Sequence, residues 1–303
     1  MKLNASLLAL IIFISAPFLY SQDEEKTLRK NKGAKGFHAG LYLGSIFANK
    51  YTAKFYDGWG YDETGKRNNF LTSFMNRRIH YDFGGDNGQP DLVAQALGVQ
   101  HGEWSFDETD MPVKMKYNPS VLAGLQMDYG FTKNDAVIIN VNASKLSLSG
   151  SFTIVVLNPQ IGPTQPNYKD IRTFAISGGE QRLMIQVGYR RILGNTDESQ
   201  LNCFIEAGAN VNITKFMRNQ IVINNLQIDL GYYYTQPYYP TYRISYMQGS
   251  GFGAFAGFGI NLEANAKWTL QLLYSPSSEK INIGESPKLS LQHSAGIRAF
   301  YNL

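Results

Sequence analysis

Four charged residues in alternating segments carry the clearest potential chemistry in this sequence. These are Asp128, Arg190, Glu206 and Arg298, and each lies on the face of a predicted strand that is opposite to its apolar face. Charges buried on such a face need partners, so we predict that at least one acid pairs with an arginine. We interpret the four residues as a structural plug inside a barrel, in preference to a proton or ion pathway.

Histidine next to a hydroxyl could support nucleophilic acyl chemistry at a lipid. The chain has four histidines, at His38, His80, His101 and His293. The side chains of adjacent residues such as His293 and Ser294 face opposite sides of a strand, whereas Ser275 on another strand could lie near His293. Because no carboxylate stands out to orient the ring, we predict no catalytic residue and no enzyme. A lipid A-modifying outer-membrane enzyme is kept as an alternative.

An acidic group, Glu103, Asp107, Glu108 and Asp110, invites comparison with calcium sites. It lacks the ordered oxygen-ligand spacing and central glycine of an EF-hand loop. We therefore expect a solvated acidic loop, with no metal and no cofactor.

The elements that must position these residues alternate with a period of two. Between residues 201 and 213 every second residue is apolar, which is a strand pattern. Seven further segments repeat the pattern, each with an apolar row taken to face outwards; they begin near Phe37, Val121, Val137, Leu183, Phe252, Trp268 and Leu289. Eight strands, an even number, predict an all-β, antiparallel, eight-stranded transmembrane outer-membrane barrel with long extracellular loops.

The connections support this count, because short and long ones alternate. Residues 132–135, 194–200 and 264–267 are short and rich in turn formers. The long connections are predicted at residues 48–118, 150–179, 215–249 and 275–287. Barrels of this type have short periplasmic turns and long outer loops, so we expect both termini in the periplasm and the barrel over residues 35–303.

The N-terminal region predicts export. Lys2 precedes an apolar stretch at residues 7–19, and a small residue follows at Ser21, so residues 1–21 are expected to be a signal peptide. Residues 22–34 are charged and are expected to form a periplasmic lead. The charge balance, 28 basic against 24 acidic residues, gives no basic cluster and argues against nucleic acid.

Two loops are rich in aromatic side chains. Loop 1, residues 48–118, is too long to lack structure of its own and is expected to form a cap or a docking element, with short helices near residues 69–79 and 91–97. Loop 3, residues 215–249, contains seven tyrosines within residues 231–246. Tyrosine gives rigid contact area with a polar tip, so the predicted partner-binding residues are Trp59, Tyr61, Trp104, Tyr233, Tyr234, Tyr238 and Tyr239. Packing of the tyrosines on loop 1 remains an equal alternative.

Small outward residues form another candidate contact. Ala207, Ala209, Ala254 and Ala256 fall on neighbouring segments and would make a flat strip that another barrel could approach closely. The alternative is that these residues only meet lipid.

Three segments carry a family resemblance: GFHAGLYLGS at residues 36–45, VLAGLQMDYGFT at residues 121–132 and HSAGIRAFYNL at residues 293–303. They resemble the PorT-like barrels of Bacteroidetes outer membranes, which are of the broad OmpA/OmpX-like eight-stranded type. The resemblance implies the barrel fold and implies no catalytic residue. Its members include a component required for type nine secretion and gliding; the long first loop of this chain departs from a minimal barrel.

These observations predict a non-enzymatic outer-membrane barrel that serves as an accessory or scaffold subunit of a protein-secretion or outer-membrane-assembly complex. Its expected partners are outer-membrane lipid and other envelope membrane proteins, with no nucleic acid and no soluble cofactor. The alternative is a surface adhesin or ligand-binding barrel that acts through loops 1 and 3.

Overall fold

The structure, a computed structural model, describes most of the chain after residue 34. The described residues are 35–62, 66–80, 88–157, 169–194, 199–231, 248–265, 267–281, 283 and 289–302. The predicted signal peptide (1–21) and periplasmic lead (22–34) lie outside these residues.

Eight long strands pair in an antiparallel ring. They are β1 (Gly36–Phe47), β4 (Ser120–Gly130), β5 (Asp135–Leu157), β6 (Lys169–Leu193), β7 (Leu201–Ile223), β9 (Gln248–Glu263), β10 (Trp268–Lys280) and β11 (Leu289–Asn302). Each strand pairs with its neighbour in this order, and β11 pairs with β1 from His38↔Asn302 to Phe47↔His293, which closes the ring. The predicted eight-stranded antiparallel barrel is confirmed.

The lower part of this barrel has the polarity expected in a bilayer. Apolar side chains such as Leu41 and Val121, each 64% exposed, cover the outside. Asn140, Gln126 and Gln271 are buried inside. A closed barrel leaves no unpaired edge in lipid, so an apolar exterior around a polar interior identifies a transmembrane barrel.

Three strands are far longer than a membrane crossing requires. The lengths of β5, β6 and β7 are 23, 25 and 23 residues, whereas about 9–11 residues span a bilayer. The predicted loops at 150–179, 215–249 and 275–287 are therefore wrong in extent, because these strands and β10 continue into them. A short strand, β8 (Leu226–Asp229), pairs back on β7 and lengthens the sheet.

The reason for this extension is a reversal of polarity along each long strand. On β5 the outward row changes from Val141 and Ala143 to Lys145 and Ser151, while the inward row changes from Asn140 to Leu148 and later apolar residues. The alternation itself never stops. The upper half of the sheet thus has the polarity of a water-soluble protein, with apolar residues inside.

Loop 1 folds as a compact cap on this upper sheet. Its elements are α1 (Lys50–Ala53), a 3-10 turn (Lys54–Tyr56), α2 (Phe74–His80), α3 (Gln89–Leu97), β2 (Trp104–Ser105), a second 3-10 turn (Glu108–Asp110) and β3 (Lys116–Tyr117). Both β2 and β3 pair with β5. The helices predicted near residues 69–79 and 91–97 are present, with α2 starting later than expected because Asn69–Ser73 turns before it.

One apolar core joins the cap to the extended strands. Phe55, Met75 and Val93 from the cap pack in the same buried cluster as Phe152 of β5 and Ile176 of β6. Gly98 ends α3 in the left-handed conformation, φ 74°, which glycine adopts without strain. Loop 1 therefore covers the upper sheet, because its apolar residues and those of the upper strands bury each other.

In the described part of the chain, none of the helices is both long and apolar enough to cross a membrane.

Candidate functional site: a filled lumen under a folded cap

Two ion pairs fill the lower lumen. Arg298 of β11 donates to both carboxylate oxygens of Glu206 on β7, at 2.6 and 2.8 Å. Arg190 of β6 donates to Asp128 of β4 at 2.8 Å, and His38 of β1 contacts the other oxygen of Asp128 at 2.6 Å. The structure thus brings the four predicted interior charges together as two acid–arginine pairs, in agreement with the predicted pairing.

Neutral polar residues occupy the space around these pairs. Gln126 donates to Asn142, and Gln271 donates to Asn261, both at 2.8 Å. A lumen cavity lined by Tyr42, Gln186 and Arg298 among others has a volume of about 20 Å³. That is room for about one water molecule, so this part of the lumen has no space for a solute.

A second polar layer lies where the barrel meets the cap. Arg182 of β6 donates to Glu180 at 2.6 Å and to Gln292 of β11 at 2.7 Å. Tyr56 of the cap donates its hydroxyl to the other oxygen of Glu180 at 2.8 Å, and Tyr117 donates to the same oxygen at 3.1 Å. We call Glu180, Arg182, Tyr56 and Tyr117 the junction cluster. It ties loop 1 to the barrel wall.

The approach of Tyr56 to the wall depends on a glycine. A Cβ atom at Gly178 would lie 2.6 Å from the ring of Tyr56, closer than packed atoms approach. Burial, and then the charge of Glu180, raise the pKa of Tyr56 well above its usual range. The tyrosine therefore stays a neutral donor to the carboxylate.

Two titratable groups inside the cap are shifted by burial. Burial raises the pKa of Asp57, and the Arg67 guanidinium, which donates to it at 2.6 Å, opposes the shift. Burial lowers the pKa of His80. The His80 ring stacks on Trp104 with centroids 5.2 Å apart, and its Nδ1 contacts Asn76 at 2.8 Å.

The predicted partner-binding aromatics divide into three groups. Trp59 and Tyr61 are half-buried at the edge of the cap core, with Arg67 over the Trp59 ring, and their docking role stays a prediction. Trp104 is only 8% exposed and packs inside the core, which leaves little of its ring for a partner and corrects its assignment as a docking residue. Tyr233, Tyr234, Tyr238 and Tyr239 lie outside the described residues.

The acidic group of the cap is not uniformly solvated, contrary to expectation. Asp110 is buried, accepts a hydrogen bond from Thr153 of β5, and forms a reciprocal capping box with Asp107. The carboxylate is used to attach the cap to the sheet. Among the residues that the structure describes, no group of three or more His, Cys, Asp or Glu residues is arranged to hold a metal ion.

The nucleophile geometry considered for a lipid enzyme does not form. Ser275 is buried on the inner side of β10 and donates to the Ala256 carbonyl. His293 lies on the other face, where its ring stacks on Tyr274 and its Nδ1 contacts the Tyr274 hydroxyl at 2.7 Å. Because the two side chains occupy opposite faces of the wall, His293 cannot activate Ser275.

The small-residue strip exists as a surface. Ala207 pairs with Ala256 and Ala209 pairs with Ala254, and all four residues are exposed on the outer face. Cys203 is exposed on the same face of β7. Contact of this strip with another barrel stays a prediction.

The sequence interpretation missed the junction cluster, although a signal for it was present. Glu180 and Arg182 continue the inward row of Gln186 and Arg190 by steps of two. A strand that is ended where its apolar outward row ends leaves both residues at the boundary of the predicted loop. The inward polar row and its later apolar continuation carry the missing information.

No protein-family model matches the sequence, and the comparison with curated proteins returns no match. Solved structures to which the chain is similar include Neisserial surface protein A, with 7% identity and a TM-score of 0.40 over 90% of this chain and 100% of that one. Others are the outer membrane protein OprG from Pseudomonas aeruginosa, with 9% identity and a TM-score of 0.39 over 89% and 98% of the two chains, and the attachment invasion locus protein Ail of Yersinia pestis, with 8% identity and a TM-score of 0.32 over 88% and 98%. At these values the PorT-like resemblance stays a prediction. The ring closure, apolar exterior and polar lumen of the chain itself establish the fold of an eight-stranded outer-membrane β-barrel.

Proposed function

We propose that this barrel is a non-enzymatic scaffold subunit of an envelope complex for protein secretion or outer-membrane assembly, with its cap on the cell exterior and its chain ends in the periplasm. The observation that carries the proposal is the combination of a filled lumen with a folded cap. A barrel whose interior is occupied by ion pairs offers its surfaces to partners and no path to solutes.

The cap supplies a surface suited to protein contact. Leu71 and Val113 on the cap are 69% and 83% exposed, whereas apolar cap residues such as Phe55 and Met75 are buried in the core shared with the strands. Exposed apolar side chains on a rigid, folded element bind partners without an ordering penalty.

The test is affinity purification of the full chain in mild detergent, with a tag inserted after Glu285, followed by mass spectrometry. A stoichiometric membrane complex is the expected result, and Leu71→Ser with Val113→Ser should release it. Ser147→Ala and Ser151→Ala, on the outer face of β5, are the matched control pair. Recovery of the barrel alone under conditions that preserve known envelope complexes would contradict the scaffold proposal.

A surface ligand-binding or adhesin role is the second candidate. It is favoured by the position of the cap, which projects beyond the apolar belt on strands two membrane crossings long. In this case the purified barrel would come without membrane partners, and the same Leu71 and Val113 variant would reduce binding of the whole cell to a surface.

A further inference from the structure

A row of polar side chains crosses four neighbouring strands immediately above the apolar belt. The register pairs Lys145 with Gln181, Gln181 with Lys215, and Lys215 with Gln248. All four side chains are exposed on the outer face. Neighbouring strands lie about 4.8 Å apart, so the backbones of the two lysines, two strands apart, are about 10 Å from each other.

A bulge adds a third cation to this surface. The pairing of β6 with β7 shifts between Gly179 and Glu180, and Gly179 pairs with Arg218. A Cβ at position 179 would lie 3.5 Å from Cγ and 3.7 Å from Nε of Arg218, so the arginine lies across the glycine on the outer face. We call Lys145, Gln181, Lys215, Gln248 and Arg218 the basic shelf.

The acidic residue of the sheet that lies near the shelf, Asp229, has a hydrogen-bond partner outside the shelf. Asp229 of β8 pairs with Gln220, beyond Arg218, and its carboxylate accepts the backbone N–H of Gly231. The structure gives no ion pair to Lys145, Lys215 or Arg218 among the described residues. The shelf is therefore a net cationic surface.

Directly below the shelf the wall becomes apolar. Ala143, Leu183 and Ile213 form the next outward row, and Ala123 continues it on β4. An open groove of about 680 Å³ on the outer wall is lined by this row and by Lys145, Gln181, Lys215 and Gln248 of the shelf. Arg218 lies one outward step above Gln181, beside the groove. The small side chains of Ala123 and Ala143 make the wall recede there, beneath the cations.

We infer that the groove binds a lipid of the cap-side leaflet through a phosphate in its headgroup. A lipid has its charge above its chains, and the wall has its cations above an apolar recess, so one molecule satisfies both parts. Lysine attracts phosphate as a point charge, and the arginine fork donates two parallel hydrogen bonds to it. A soluble anion would use the shelf and leave the apolar recess unexplained.

The experiment compares lipid retention by the full chain in neutral detergent, using native mass spectrometry with phosphatidic acid and phosphatidylcholine as the probes. The test variant is Lys145→Gln, Lys215→Gln and Arg218→Gln. The control is Lys133→Gln, Arg191→Gln and Lys267→Gln, which removes the same charge at the opposite end of the barrel. The wild type and control should retain phosphatidic acid preferentially, and the test variant should bind it at least tenfold more weakly.

A second variant separates binding from folding. Lys145→Arg with Lys215→Arg keeps the charges and should retain phosphatidic acid at the wild-type level. Equal losses in the test and control variants, or no loss in either, would overturn the inference. Retention of a copurified protein that depends on the same three cations would assign the shelf to a protein partner instead. None of these results depends on whether the cap recruits a complex.

Discussion

At the scale of single residues, the junction cluster is the most vulnerable part of the molecule. Glu180 and Arg182 are both almost fully buried and are bonded to each other and to the cap. Removing one member of a buried pair leaves the other charge without compensation, which typically destabilises a protein by about 3–5 kcal/mol. We expect Glu180→Gln to lower the free energy of unfolding by about this amount, less what Gln recovers through hydrogen bonds. Denaturant unfolding in vesicles measures it, and Arg172→Gln, at a partly exposed pair, is the control. A change below about 1 kcal/mol would show that the junction does not hold the cap.

His80 gives the cap a pH dependence with a defined sign. Burial lowers the pKa of His80 in the folded cap, so the unfolded state binds more protons near and below its ordinary pKa of about 6.5. The stabilisation that His80 contributes is therefore fully present above about pH 6.5. It decreases as the pH falls below this value, until the histidine of the folded cap is protonated too. The Trp104 ring stacks on His80, so its fluorescence emission should report loosening of the cap between pH 7.5 and 5.5. His80→Phe keeps the stacked ring and should remove this part of the dependence. The pKa of Asp57 is raised in the folded cap, so protonation of this carboxyl at low pH favours the folded state. This contribution is the same in the wild type and in His80→Phe. An unchanged pH profile in His80→Phe would contradict the assignment.

At the scale of elements, the polarity reversal on β5 predicts where charge is tolerated. Ile139 and Ser151 lie on the same outer face of the same strand, one in the apolar belt and one above it. An arginine facing lipid near the middle of the bilayer destabilises a barrel by about 2–4 kcal/mol, whereas near or beyond the interface the effect approaches zero. We therefore expect Ile139→Arg to lower the denaturant midpoint of the reconstituted barrel and Ser151→Arg to leave it unchanged. Equal effects would mean that the membrane boundary does not lie near Lys145.

The same strands explain what the sequence could and could not predict. The period-two alternation, with its apolar residues outside, located all eight strands. It also put Asp128, Arg190, Glu206 and Arg298 inside, because successive side chains on a strand point to opposite faces. It did not give the strand ends, because at Lys145 and Lys215 the apolar face changes sides while the alternation continues. It also could not show that Tyr56 and Tyr117 reach Glu180, because these contacts form only through the tertiary fold of the cap. The burial of Trp104, predicted as a partner-binding residue, likewise depends on the tertiary fold of the cap.

At the scale of the whole molecule, the filled lumen predicts that the barrel does not conduct ions. The Glu206–Arg298 and Asp128–Arg190 pairs cross the interior, and the space between them and the junction accommodates about one water. Planar bilayer recordings of the purified barrel should show no large, stable conductance. Glu206→Ala with Arg298→Ala removes one pair without touching the cap and should raise the frequency of brief small openings. A large, steady conductance in the wild-type protein would contradict a closed lumen.

The filled lumen also constrains the order in which the molecule is built. The cap lies at one end of the barrel and the paired ends of β1 and β11 lie at the other. A folded cap cannot pass through a barrel whose interior is crossed by two ion pairs. With the chain ends in the periplasm, as proposed above, its roughly seventy residues must cross the membrane as an unfolded chain before β11 pairs with β1. Only then can they meet the upper halves of β5, β6 and β7, whose apolar inner faces are exposed to water until the cap arrives. In that topology, translocation of the loop 1 residues precedes folding of the cap, and a barrel that closed before translocation would leave the cap residues in the periplasm.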